Sequence, residues 1–175
     1  LRSGNIRERT VYPLKIYAST QTGRQYLLCY AYQVRHLVFI RVDTIRKVVP
    51  GNVEKKHEVY AGYFNKFRDH LWGVSVGPGY SMDHIEMTIR VDEGEGHIPQ
   101  RLEREKRNGR VQQIDENTYL FSADVYDAAE MLPWLRTFIG RIIKLECSNQ
   151  SVVDTFYADL DAMIRMYGGD DDAVQ

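Results

Sequence analysis

The chain has 175 residues, 27% of them charged and 43% hydrophobic, with a net charge of −1, as expected of a folded, water-soluble protein of one large or two small domains. No apolar run approaches the length that spans a bilayer, and the N-terminal LRSGNIRERT lacks the apolar stretch of a signal peptide; no membrane partner and a cytoplasmic location are expected. The two cysteines, Cys29 and Cys147, have no metal-like spacing and sit in apolar surroundings, so buried, reduced thiols are expected.

The near-neutral total hides an imbalance. Residues 1–50 hold nine Lys and Arg against two acidic residues, a net of +7, while residues 51–175 carry a net of −8. An electropositive first third fits an anionic partner. Docking of the basic part against the acidic part explains the imbalance equally well.

Taken in order, Leu1 to Glu8 is a polar lead-in. Strands are predicted over Thr10–Tyr17, Arg24–Gln33, Arg35–Asp43 and Thr44–Val49, with turn-rich Ser19–Gly23 between the first two and Pro50-Gly51 ending the run. Alternation places Tyr26, Leu28, Tyr30 and Tyr32 on one side of the second strand, and Leu37, Phe39 and Arg41 on one side of the third. Short strands with tight connections predict a small barrel or meander. Its basic and aromatic side chains suit phosphates and stacked bases. An ordinary solvated strand face carries the same residues, and composition alone favours that simpler reading.

Phe64, Phe67 and Leu71 then predict a short amphipathic helix over Ala61–Trp72, and Gly73, Gly77, Pro78 and Gly79 mark a linker. The domains are expected at 1–76 and 80–168, with an acidic, disordered tail at 169–175. In the second, His84–Val91 alternates as a strand and Ile98–Arg107 reads as a helix. Arg110–Ile114 and Thr118–Val125 read as a hairpin, Ala128–Ile139 as a helix that Pro133 kinks or delays, Arg141–Cys147 as a strand and Ser151–Tyr167 as a helix. This β-α-β-β-α-β order with a last helix matches the ferredoxin-like split βαβ.

Two stretches of the first domain bear a family likeness. Gly23-Arg24-Gln25-Tyr26-Leu27, followed by Phe39-Ile40-Arg41-Val42-Asp43-Thr44-Ile45, resembles the WYL domain, named for a Trp-Tyr-Leu triplet; Tyr12-Pro13-Leu14 resembles its first strand. Gln25 stands in the Trp position and Thr44 in that of a second Arg. Ile85-Glu86-Met87-Thr88-Ile89 and Trp134-Leu135-Arg136-Thr137-Phe138-Ile139-Gly140 resemble the WCX extension that often follows WYL domains. The resemblance implies an α+β/β two-domain fold, an Sm-like (SH3-type) β-barrel followed by a ferredoxin-like domain. It implies the sensing and dimerisation portion of a bacterial transcription regulator: a homodimer that binds a short single-stranded or cyclic nucleic acid. Operator DNA would be bound through a winged helix-turn-helix ahead of Leu1; a first residue other than Met fits a chain trimmed from a longer one. A nucleic-acid-binding accessory module of a defence or CRISPR-type system, without a transcriptional role, is the alternative.

No catalytic constellation emerges. Gly73, Gly77 and Gly79 lack the Lys-Ser/Thr of a phosphate loop, there is no Gly-x-Ser-x-Gly elbow, and the five histidines are scattered. His84 and Glu86 share a strand face and read as a surface pair. Arg101, Glu103, Arg104, Glu105 and Arg107 read as a solvated helix face with pairs such as Glu103–Arg107. No enzyme, cofactor or metal is expected. The ligand-binding residues expected are Arg24, Tyr26, Tyr30, Arg35, His36, Arg41 and Arg46, gathered around Arg41; Asp43, on the same strand face, is the internal partner that Arg41 would otherwise take.

Overall fold

The computed structural model describes residues 6–19, 22–77 and 81–168. The chain divides into two compact units between Val76 and Gly77, and the described residues form two antiparallel sheets and four α-helices. The acidic tail at 169–175 and Pro78-Gly79 of the linker lie outside the described residues.

In the first unit, strands rich in β-branched and aromatic residues form a meander: β1 (Val11–Ala18), β2 (Gln25–Ala31) and β3 (His36–Arg41). The ladder sets Tyr26 opposite Arg41, Leu28 opposite Phe39 and Tyr30 opposite Leu37; on the other side Tyr17 meets Tyr26 and Tyr12 meets Tyr30. Directly paired residues share a face. Helix α1 (His57–Phe67) covers this face: its buried Tyr60 stacks on Tyr30 with ring centres 4.2 Å apart, and its Phe64 lies 5.6 Å from Tyr17. The opposite face gathers Val11, Leu27 and Ile40 around buried Cys29, Ala31 and Val38.

The expected strand over Thr44–Val49 does not form. Val42–Thr44 is a single 3-10 turn, in which the Ile45 amide donates to the Val42 carbonyl at 3.1 Å and the Thr44 hydroxyl to the Arg41 carbonyl at 2.7 Å. These bonds take the chain off the ladder directly after Arg41. The stretch that follows is irregular, with Val48 and Val49 exposed, and is tied to the sheet where Tyr12 and Tyr32 donate to the Glu54 carbonyl and carboxylate. Among the described residues the sheet therefore has three strands and open edges; it is not a closed barrel. Helix α1 starts at His57, ahead of the expected Ala61, because Tyr60 adds a turn to its apolar face.

The second unit runs β4 (Met82–Arg90), α2 (His97–Glu105), β5 (Arg110–Gln113), β6 (Thr118–Tyr126), α3 (Leu132–Arg136), β7 (Ile142–Cys147) and α4 (Gln150–Tyr167), with sheet order β5-β6-β4-β7 and every neighbour antiparallel. The alternation legible in β4 holds: Ile85, Met87 and Ile89 are fully buried, beside Phe121 and Ala123 of β6 and Leu145 of β7. Ile98 and Leu102 of α2, Leu135 of α3 and Phe138 just beyond it are buried as well, and α4 packs along β7 with Val152, Val153 and Phe156 buried. Pro133 delays its helix rather than kinking it. Ala128–Met131 is a 3-10 turn, and Pro133 falls in the first turn of α3, where a missing N–H costs no helical bond.

The α2 charges are not merely a solvated face. Arg101, rather than Glu103, makes the i,i+4 pair, donating from Nε to Glu105 at 3.1 Å; Glu105 also accepts from Trp134 Nε1 at 2.9 Å, and Arg101 lies 4.5 Å over the Phe138 ring. Glu103 pairs with Lys106. Burial works to raise the Glu105 carboxyl, and the bonds from Arg101 and Trp134 overcome it and hold it below the usual carboxylate range.

Candidate ligand-binding face

The end of the first sheet farthest from the β2–β3 turn is built by two local devices. In the loop before β2, Gly23 takes φ +67, a left-handed conformation that favours glycine, and the Ser19 amide donates to the Arg24 carbonyl at 2.9 Å. This fixes Arg24 at the entry of β2. At the matching end of β3 the 3-10 turn folds Asp43 back, and Arg41 grips it as a fork, Nε to Oδ1 at 3.1 Å and Nη2 to Oδ2 at 2.6 Å. The hydrogen bond from Arg41 holds the Asp43 carboxyl low, with the charges of Arg41 and Arg24 adding to it; the same bond raises Arg41 further, as does the proximity of Tyr26. Arg24, Tyr26, Arg41 and Asp43 thus form one electrostatic cluster.

Arg41 is on the helix-covered side of its strand, as alternation requires, yet it is not enclosed. The side chains of Arg41 and Asp43 keep 39% and 58% of their exposure, so the pair stands at the rim of the sheet. An ion pair so placed is worth little as a structural clamp.

The remaining expected residues lie elsewhere. The Tyr30 ring is used in packing, stacked on Tyr60 and edge-on to Tyr32 at 5.5 Å. Arg35, with φ 53, closes the β2–β3 turn, and His36 pairs with Ala31 at the far end of the ladder, on the opposite face from Tyr26. At the rise of an extended strand that end is roughly 17 Å from the Tyr26–Arg41 pair. Arg46 is exposed on the irregular stretch beyond the 3-10 turn. The structure brings Arg24, Tyr26 and Arg41 together and separates Arg35 and His36 from them.

Beside the cluster is a cavity of about 310 Å3 that sequence reasoning missed, lined by Tyr17, Phe39, Phe64, Arg68 and Asp69 among others. Tyr17 and Phe39 reach it from the sheet, one pair across from Tyr26 and two residues before Arg41; Phe64 and Arg68 come from α1 and the turn after it. A sheet–helix cavity of this kind leaves no spacing signal, because its parts lie some fifty residues apart.

In the second unit, His84 Nδ1 lies 2.8 Å from Asp124 and Nε2 3.3 Å from Glu86, a fuller version of the expected surface pair. Among the described residues no group of three or more His, Cys, Asp and Glu side chains could hold a metal ion, and no helix is long and apolar enough to cross a membrane. Cys29 is buried, and burial pushes its thiol up to about 11. No family model matches the chain, and no curated protein matches it.

Proposed function

We propose that this chain is the ligand-sensing and dimerisation portion of a WYL-type bacterial transcription regulator, without enzymatic activity, and that it binds a short single-stranded or cyclic nucleic acid at the rim formed by Arg24, Tyr26 and Arg41. The observation that carries this reading is the geometry of Arg41. It is a half-exposed guanidinium already presented as a bidentate fork, next to a tyrosine ring, in the segment of the chain with a net charge of +7. Arg captures phosphate in that same fork geometry, and tyrosine offers stacking surface to a base. Asp43 occupies the fork in the free protein, as an internal carboxylate where the ligand's phosphate would sit.

The strand order β5-β6-β4-β7, with a helix in each crossover, supports a ferredoxin-like reading of the second unit. The first unit fits the meander part of an Sm-like domain. In such a regulator the ligand acts by population shift: it favours one arrangement of a dimer and thereby the spacing of DNA-binding helices elsewhere in the longer protein.

The test is fluorescence anisotropy with short labelled single-stranded oligonucleotides. Affinity should fall steeply with added salt, because phosphate contacts release counterions. Arg41→Ala should weaken binding by about tenfold or more, and more than Arg24→Ala. Asp43→Asn should tighten binding by removing the competitor for the fork. Binding that ignores all three substitutions, or no binding at low salt, overturns the assignment.

A further inference from the structure

The cavity beside the rim has a composition of its own. Three aromatic rings form its apolar wall together with Leu71 and Val74, Tyr17 packing between Phe39 at 5.8 Å, edge-on, and Phe64 at 5.6 Å, tilted. Its polar side is Arg68, whose Nε pairs with Asp69 Oδ1 at 3.3 Å; both side chains are well exposed, so water screens the pair and it yields readily to a stronger anion. Tyr17 and Arg68 line the same cavity; burial raises the Tyr17 phenol and the charge of Arg68 opposes the rise. A volume of about 310 Å3 stands at the small end of the range for ligand sites, enough for one ring system and its substituent rather than for several stacked bases.

We infer that this cavity holds one planar aromatic ring of a ligand that carries an anionic group, the ring lying against Tyr17, Phe39 and Phe64 and the anion facing Arg68. Aromatic walls reward a π-face, and a guanidinium beside them rewards a charge held at the edge of that ring. The inference deepens the reading of this face as a ligand site and rests on it. A nucleic-acid ligand running along the rim would bury its terminal base here, with the adjoining phosphate on Arg68 and the next toward Arg41. A nucleotide and an aromatic carboxylate share this chemistry, and the test separates them.

The experiment titrates the 175-residue chain with AMP, adenosine, orthophosphate and benzoate, following the NMR resonances of the cavity side chains. AMP should bind saturably; adenosine, lacking the anion, and orthophosphate, lacking the ring, should each bind about tenfold more weakly or worse. Arg68→Gln should weaken AMP by about tenfold, with a thermal melt confirming that the variant is folded. Benzoate as tight as AMP keeps the ring-plus-anion site and identifies the ligand as an aromatic acid rather than a nucleotide. Adenosine as tight as AMP, indifference to Arg68→Gln, or no binding of AMP or benzoate overturns the inference. Oligonucleotide binding that needs Arg41 but not Arg68 would remove the cavity and keep the rim; AMP binding that needs Arg68, without oligonucleotide binding, would do the reverse.

Discussion

The two units are both sheets backed by helices, yet they are held together differently. Of the buried hydrophobic residues among the described ones, eighteen belong to the second unit and eight to the first. The second unit gathers aliphatic and Phe side chains on one sheet face under α2 and α3, and leaves charged residues such as His84 and Glu86 on the other. The first relies on a tyrosine cluster, Tyr12, Tyr30, Tyr32, Tyr60 and Tyr63, whose rings stack and tilt between sheet and helix. Tyrosine bodies bury area while their hydroxyls stay near water, so such a unit can be thin, polar and open at its rim. The better ligand-binding candidate therefore lies in the unit with the smaller core, where basic and aromatic side chains remain at the surface.

Four measurements test this contrast. The largest effect is expected from Phe121→Ala, which empties the centre of the second core and should cost about 3–5 kcal/mol. Each unit has one tryptophan, so Trp134→Phe and Trp72→Phe backgrounds report on the first and second units separately during denaturant unfolding. The second unit should unfold at the higher midpoint, and Phe121→Ala should move chiefly the Trp134 signal. Equal midpoints in the parent chain would dissolve the contrast.

Next comes Gly109→Ala. A Cβ at Gly109 would stand 2.5 Å from the Phe121 ring and 2.9 Å from the Lys106 carbonyl, and Phe121 is fully buried and cannot give way. A loss of about 1–3 kcal/mol is expected in the same assay. Tyr30→Leu should cost about 0.5–1.5 kcal/mol beyond its lost area, because the stack on Tyr60 goes with it. A negligible loss there would mean that the tyrosine cluster is not what holds the first unit.

The smallest effect concerns pH. Both ring nitrogens of His84 face carboxylates, Asp124 and then Glu86, an arrangement only the doubly protonated ring satisfies; the pair raises its pKa. With the folded pKa above the unfolded value near 6.5, the contribution is complete below pH 6.5 and disappears as pH rises through the folded pKa. The group is half-exposed, so no more than about 1 kcal/mol is expected. Urea midpoints for the second unit should therefore be higher at pH 6 than at pH 9, and His84→Gln should flatten that difference.

Much of the second unit was legible because β4 writes its burial as a clean period of two and because turn residues separate the elements; the 3.6-residue stripe of α4 is buried only at its start, at Val152, Val153 and Phe156, while Met163, Ile164 and Tyr167 are exposed. Pro133 was legible as a disturbance, though only the structure shows that it begins a helix. In the first unit alternation correctly grouped Tyr26, Leu28 and Tyr30, and Leu37, Phe39 and Arg41. It could not say which face a helix would cover, so Tyr30 read as ligand-facing when it packs on Tyr60. The missing fourth strand has a local cause: Val42 to Val49 has strand propensity, but side-chain and backbone bonds around Arg41 and Thr44 turn the chain off the ladder. Arg35 and Arg41 are near in sequence, yet an extended strand carries them to opposite ends of the sheet. The cavity at Tyr17, Phe39, Phe64 and Arg68 is a product of helix-on-sheet docking, which no local pattern encodes.

The open sheet of the first unit also bears on how the protein should be handled at high concentration. The β1 edge is blunted against an incoming strand by Pro13, which has no N–H to offer, and by exposed Lys15. On β3 the run Leu37-Val38-Phe39-Ile40 has no Pro and no charge, and in the order β1-β2-β3 it is an edge strand of its sheet. Such a segment is a template for intermolecular strand addition, and self-association on concentration or warming should begin there. Ile40 belongs to the face that gathers around Cys29 and is only partly buried, so Ile40→Lys would place a charge on that edge and delay fibre formation at a modest cost in stability.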